Sequence, residues 1–207
     1  MRALLYPYCL FLLVGCAATR RSAPPVSEAQ RAQAELSREY LDPETSILSA
    51  EQRRALEANG GLNFFPIDAA YRVEAKVNRP TDRRVISMPT SSERIVEYEV
   101  FALLTFSLHG VPDTLEAYAS TDRYLPEEYR NLLFVPFRDR TSGTDTYGGG
   151  RYLDLAVPAG DTLVLDFNLA YHPYCAYTNG YSCPVPPAAN YLDQRVEAGV
   201  RNTDLGQ

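Results

Sequence analysis

The sequence predicts a mainly β protein, an antiparallel sandwich or open barrel preceded by one or two short helices. Three observations carry that expectation. Beyond Gly61 apolar residues recur with period two, the alternating runs are separated by Gly, Pro, Asp or Ser, and no strand-helix alternation suggests a doubly wound fold. With 207 residues, 45% of them hydrophobic and 22% charged, the chain suits one domain with a buried core and an N-terminal appendage. The expected division is a signal segment over 1–15, a tether over 16–27, a helical appendage over 28–60, a β domain over 61–200 and a tail over 201–207.

Met1 and Arg2 form a short basic start, and Ala3 to Val14 is apolar apart from Pro7. That stretch falls well short of the roughly 20 residues needed to span a bilayer, so it reads as a signal peptide. Its end, Leu13-Val14-Gly15-Cys16, resembles the bacterial lipobox, in which small residues precede a cysteine that is diacylated and becomes the mature N-terminus. The expected product is a lipoprotein carrying palmitate-type acyl chains on Cys16, and two chains hold a protein on a membrane where one does not. Ala17, by resemblance to lipoprotein sorting, favours the outer membrane facing the periplasm. The alternative is an ordinary secretory signal cleaved near Ala17 or Ala18. A net charge of −6 and a pI near 5.0 argue against a nucleic-acid surface, which needs clustered Lys and Arg.

Ser27 followed by Gln30 is a capping-box pattern, and Ala29, Ala32, Leu36 and Tyr40 then recur at helical spacing as far as Pro43. A second short helix starts at Ser49, with Gln52 as its capping partner, and stops at Asn59-Gly60-Gly61. The first strand places Tyr71, Val73, Ala75 and Val77 on one face against Arg72, Glu74 and Lys76. The longest alternation runs through Val96, Tyr98, Val100, Ala102, Leu104, Phe106 and Leu108, long enough to bend between two sheets. Shorter strands are expected at 114–119, 132–137, 152–157 and 162–167. The last two read as a hairpin around Pro158-Ala159-Gly160, pairing Leu155 with Leu163 and Leu153 with Leu165. In that register Tyr152 faces Asp166 and Gly150 faces Asn168, leaving room for a shallow polar concavity.

The C-terminal half is dense in motifs: Pro136-Phe137-Arg138-Asp139, Thr146-Tyr147-Gly148-Gly149-Gly150-Arg151-Tyr152-Leu153-Asp154, Asp166-Phe167-Asn168, and Tyr171-His172-Pro173-Tyr174-Cys175-Ala176-Tyr177. Tyr181-Ser182-Cys183-Pro184 follows, and Phe65-Pro66-Ile67-Asp68 and Tyr71-Arg72-Val73 lie upstream. Together they resemble a bacterial family of unknown function, DUF1684, over roughly Gly61 to Gly199. The resemblance implies membership, with no activity to transfer. The chain departs from the pattern at His172 and Ala189, where Asn and Glu are expected, and at Val200, where an acid is expected.

Several chemistries find little support in these residues. The triple glycine precedes a strand, whereas phosphate loops open onto a helix N-terminus. No nucleophile-elbow spacing surrounds Ser142, and the spacing of His172, Cys175 and Cys183 matches no zinc pattern. Cys175 and Cys183 enclose a small loop around Asn179-Gly180, so an oxidising compartment favours a disulfide between them, with buried free thiols as the alternative.

A small polar ligand would sit between the Gly148-Gly149-Gly150 loop and the Tyr171 to Cys183 loop. Asp166 and Asn168 would supply an acceptor and an amide, Arg138 and Arg151 charge, and Asp139, Tyr147, Tyr152, Tyr171 and Tyr174 the surrounding wall. The competing account is that Asp166 and Asn168 tie down neighbouring loops, that the arginines pair with Asp139 and Asp154, and that the tyrosines, seven between 147 and 191, clamp a Pro-rich loop. The favoured reading is a lipid-anchored ligand-binding or scaffold module of the cell envelope. The alternatives are a hydrolase-like enzyme using Asp166, Asn168 and His172 in a polar pocket, and an interaction protein with an exposed apolar patch.

Overall fold

The structure, a computed structural model, describes residues 27–122, 124 and 126–205. The signal segment, Cys16 and most of the tether lie outside the described residues. Among the described residues two helices come first, α1 (Glu28–Leu41) and α2 (Ala50–Ala58), each begun by a complete capping box, Ser27 with Gln30 and Ser49 with Gln52. Reciprocal bonds satisfy backbone donors that a helix start otherwise leaves free. Past α2 the chain turns through Gly60, whose φ of +79° a side chain would resist, and the Gly61 N–H closes on the Leu56 carbonyl.

Eight strands follow: β1 (Arg72–Asn78), β2 (Val85–Pro89), β3 (Ile95–Leu108), β4 (Val111–Ser120), β5 (Leu132–Asp139), β6 (Arg151–Ala156), β7 (Thr162–Asp166) and β8 (Tyr191–Leu192). They form one curled sheet, a half-barrel in the order β6-β5-β4-β3-β1-β7, with β2 paired to β3 and β8 paired in parallel to β5. The open-barrel form of the predicted fold class is therefore the one adopted. β2, which ends in Pro89, had no strand expectation attached to it, because five residues with a terminal proline give too short a period-two run to read.

The hairpin expected between β6 and β7 does not form. β6 pairs with β5, setting Leu153 against Val135, while β7 pairs with β1 at the other end of the sheet, setting Leu165 against Val73. Tyr152 lies across from Pro136 and Asp166 across from Arg72, so the concavity inferred from a Tyr152–Asp166 register is absent. Leu153 and Leu165 nevertheless share one core, with Ala75, Leu104, Phe106, Leu115, Phe137 and Phe167, because curling brings the inner faces of both end strands together. Alternation specifies which face a residue takes, and here both residues take the face it predicts.

The long strand β3 holds a second surprise. Val100 pairs with Tyr118 but Ala102 pairs with Ala117, so one extra residue is inserted and the register shifts. A bulge of this kind exchanges the faces on either side of it. Ala102, Leu104, Phe106 and Leu108 fill the inner core, whereas Val100 joins Met88 and Tyr118, backed by Ile86, Tyr98 and Phe134, in a separate cluster. An aromatic row follows outside the main core: Tyr98 stacks on Phe134 at 5.4 Å, Phe134 meets Tyr152 edge-on at 4.7 Å, and Tyr152 meets Tyr171 at 5.9 Å. The helices dock through a third cluster, in which Tyr40, Leu48 and Leu56 pack with Leu62, Tyr177 and Leu205. Gln33 and Gln52 donate to the Asn168 and Tyr177 carbonyls and fix the helices against the C-terminal loops.

Candidate functional site

The two arginines of the motif region go to different places. Arg151 is fully buried, 3.4 Å from the Asp139 carboxylate, with its guanidinium 5.1 Å from the Phe137 ring centroid. It donates to the Val196 carbonyl at 2.8 Å and to the Ala198 carbonyl, while Asp139 accepts from the Val196 N–H at 2.6 Å and the Thr141 hydroxyl at 2.8 Å. Burial pushes the Arg151 pKa down, with the Asp139 charge opposing. The pair ties the C-terminal segment to β5 and β6 and reaches no solvent. Arg138 is half-buried beside an open depression that it lines with Arg140, Ser142, Gly148 and Tyr191.

Asp166, Asn168 and His172 are each buried and bonded within the protein. Asp166 accepts from the Asn168 N–H at 3.0 Å and its side-chain amide at 2.8 Å, and lies 3.6 Å from Arg72. Asn168 closes on Asp68 in both directions, accepting its N–H at 3.1 Å and donating to its carbonyl at 2.9 Å. Nε2 of His172 accepts the Tyr147 N–H at 3.1 Å, so the ring proton sits on Nδ1 and the imidazole is neutral. Burial, and secondarily the Arg151 charge, lowers its pKa to about 3. That bond anchors the start of the Tyr147-Gly148-Gly149-Gly150 loop. Its last glycine has φ +97°, and a Cβ there would fall 2.6 Å from the Phe137 carbonyl oxygen, so only glycine fits. In this arrangement Asp166 and Asn168 brace the chain. Asn168→Ala is expected to cost about 1 to 3 kcal/mol by stranding the Asp68 backbone groups, measured as a shift in the urea midpoint at unchanged slope.

A cavity lies elsewhere, between α1, the outer side of β6 and the loop from Tyr171 to Pro184. It has a volume of about 440 Å³ and six tyrosines in its wall: Tyr40, Tyr129, Tyr152, Tyr171, Tyr174 and Tyr181. Two carboxylates, Glu39 and Asp154, complete it with Leu36, Pro173, Ser182, Cys183 and Pro184. The Tyr171 hydroxyl donates to Asp154 at 2.6 Å, while burial and then the nearby Glu39 charge raise the Tyr174 pKa. Desolvation by the cavity wall raises the Asp154 pKa, with the Tyr171 bond opposing it. Burial also raises the Tyr152 and Tyr171 pKa values, so both phenols stay neutral. The loop is closed by a disulfide between Cys175 and Cys183 and pinned to β6 by paired backbone bonds between Tyr152 and Tyr171. The Tyr152 hydroxyl bonds the Pro184 carbonyl across the loop. Among the described residues no group of three or more His, Cys, Asp or Glu is placed to hold a metal ion.

The chain matches the family described as Protein of unknown function (DUF1684) over residues 57–201. The chain belongs to DUF1684. A solution NMR structure of an uncharacterized protein from Haloarcula marismortui, locus rrnAC0354, is similar to this DUF1684 chain at 39% identity. The likeness covers 86% of this chain and 94% of that one, with a TM-score of 0.64. No curated protein matches the chain. Within this DUF1684 protein, the sequence-derived site residues do not gather in one place. Tyr152, Tyr171 and Tyr174 line the tyrosine cavity, Arg138 and Gly148 line the separate open depression, and Asp139, Arg151, Asp166 and Asn168 are bonded within the interior. Leu36, Glu39, Tyr40 and Tyr129 join the wall without having been singled out for a ligand. Glu39 and Tyr40 sit on a helix that reads as packing, and no local pattern announces that its last turn lies over β6.

Proposed function

We propose that this DUF1684 protein is a ligand-binding module of the cell envelope, held to a membrane by lipid on Cys16, that takes a small organic molecule into the tyrosine-lined cavity. One observation carries the reading: a cavity of about 440 Å³, walled by aromatic rings and a few polar groups. That size and lining match those of small-molecule sites. The walls come from four separate parts of the chain, and the disulfide and the Tyr152–Tyr171 backbone pair hold one of them in place. A preformed site spends little free energy on ordering itself when a ligand arrives. The hydrolase alternative needs Asp166, Asn168 and His172 open to substrate, and their hydrogen bonds are already committed inside the protein. The anchor places the site on a membrane-bound head, with residues 17–27 linking the lipid to the helix that forms one wall.

Two measurements test the parts separately. Cys16→Ser should move the protein from the membrane fraction to the soluble one, and an unchanged membrane fraction with an unmodified N-terminal peptide mass overturns the anchor. In a thermal-shift screen of metabolites, compounds that raise the melting temperature of the wild type should fail to raise that of Tyr174→Ala. Shifts that persist in Tyr174→Ala overturn the cavity as the site.

A further inference from the structure

The wall of the tyrosine cavity combines two carboxylates with steeply inclined aromatic rings, and its described lining holds no Lys, Arg or His. Neither Glu39 nor Asp154 has an ion-pair partner among the ion pairs of the described residues, although several arginines elsewhere in the molecule pair with acids. Asp154 is joined instead to a phenol hydroxyl, that of Tyr171. A phenol donating to a carboxylate leaves the negative charge in place. The rings meet as the corners of a box: Tyr152 and Tyr171 at 88°, Tyr174 and Tyr181 at 66°, and Tyr40 and Tyr174 at 67°.

From these features we infer that the ligand is a small organic cation, an alkylammonium or quaternary ammonium compound. The inference rests on the reading of this cavity as the ligand site. An aromatic face attracts a cation through its quadrupole, most strongly where water is excluded, and steeply inclined rings present that attraction from several sides. The two carboxylates add a charge that nothing in the described wall neutralises. An anion would meet uncompensated repulsion in the same place. A bare metal ion needs a shell of oxygen ligands, and this wall is mostly ring carbon, which suits the methylated head of an organic cation.

The test uses the full-length protein purified in detergent, with three probes followed by calorimetric titration: choline, its tert-butyl isostere with carbon replacing the ammonium nitrogen, and N-acetylglucosamine. Choline should bind at least about tenfold more tightly than the isostere. Asp154→Asn and Glu39→Gln should each weaken choline at least about fivefold without lowering the melting temperature of the free protein. Tyr181→Ala, at the exposed rim, should weaken choline as well and serves as the variant least able to disturb folding. Equal binding of choline and its isostere, or full choline affinity in Asp154→Asn, overturns the cation. Binding of N-acetylglucosamine with no binding of choline overturns the cation while leaving the cavity a ligand site. If none of the three probes binds, the cation inference falls. The separate metabolite screen on Tyr174→Ala then decides whether the cavity reading falls with it.

Discussion

Asp139→Asn is expected to lower stability by about 3 to 5 kcal/mol, because it leaves the Arg151 guanidinium charged, buried and unpaired. The side chains of Arg151 and Asp139 are 1% and 0% exposed, and arginine has no accessible neutral form in which to escape the cost. Asn preserves the shape of the side chain and an acceptor for the Val196 N–H, so the loss reports the charge. Arg151→Met combined with Asp139→Leu should recover part of the loss, since a buried pair replaced by apolar groups of similar volume is often close to neutral. Urea unfolding of Arg151→Met, of Asp139→Leu and of the two combined closes a thermodynamic cycle beside the Asp139→Asn measurement. A cost below about 1 kcal/mol for Asp139→Asn would show that water reaches the pair and that it does not hold the C-terminal segment.

The second large effect is a loss of stability in acid that originates at His172. Its ordinary pKa of 6.5 drops to about 3 inside the fold, so on acidification the unfolded chain takes up a proton that the folded one refuses. Stability is therefore fully present above about pH 6.5 and declines as pH falls toward 3, by about 2 kcal/mol at pH 5 and about 4 kcal/mol at pH 3. Protonation places a second N–H against the Tyr147 N–H, so the bond holding the glycine loop breaks in the same step. His172→Gln keeps an acceptor near the position of Nε2 and cannot titrate. The difference in unfolding free energy between wild type and His172→Gln should shrink with acid along that curve, with the carboxylates cancelling because both proteins share them. A difference independent of pH between 7 and 4 would mean that the imidazole is solvated.

Much of the fold was legible because its signals are local. The two capping boxes mark the start of both helices, and period-two alternation marks six of the eight strands. The pair Cys175 and Cys183 was readable as a disulfide from spacing and address, with free thiols left open, and the structure joins them. Pairing was less legible. Leu153 and Leu165 carry the information that both point inward, and a short turn between them favours a hairpin, yet the curled sheet offers β5 and β1 as better partners. The bulge at Val100 was hidden for a related reason: apolar residues stand at every second position from Val96 to Leu108, with Phe101 and Leu103 apolar as well, and only the pairing with β4 shows that the two halves face opposite sides.

By itself, then, the sequence determined the mainly β class, the helix starts and the inward-facing residues of most of the longer strands. All of these follow from hydrophobic periodicity and backbone capping, which act within a few residues. Tertiary structure alone decided what the motif residues do. Asp166, Asn168 and Arg151 turned inward because buried polar groups must find partners, and those partners, Asp68 and the Val196 and Ala198 carbonyls, come from distant parts of the chain. The cavity arose where α1, β6 and the disulfide-closed loop meet with their aromatic side chains imperfectly interleaved. Such a space depends on the relative placement of segments far apart in sequence, a quantity that no local pattern encodes.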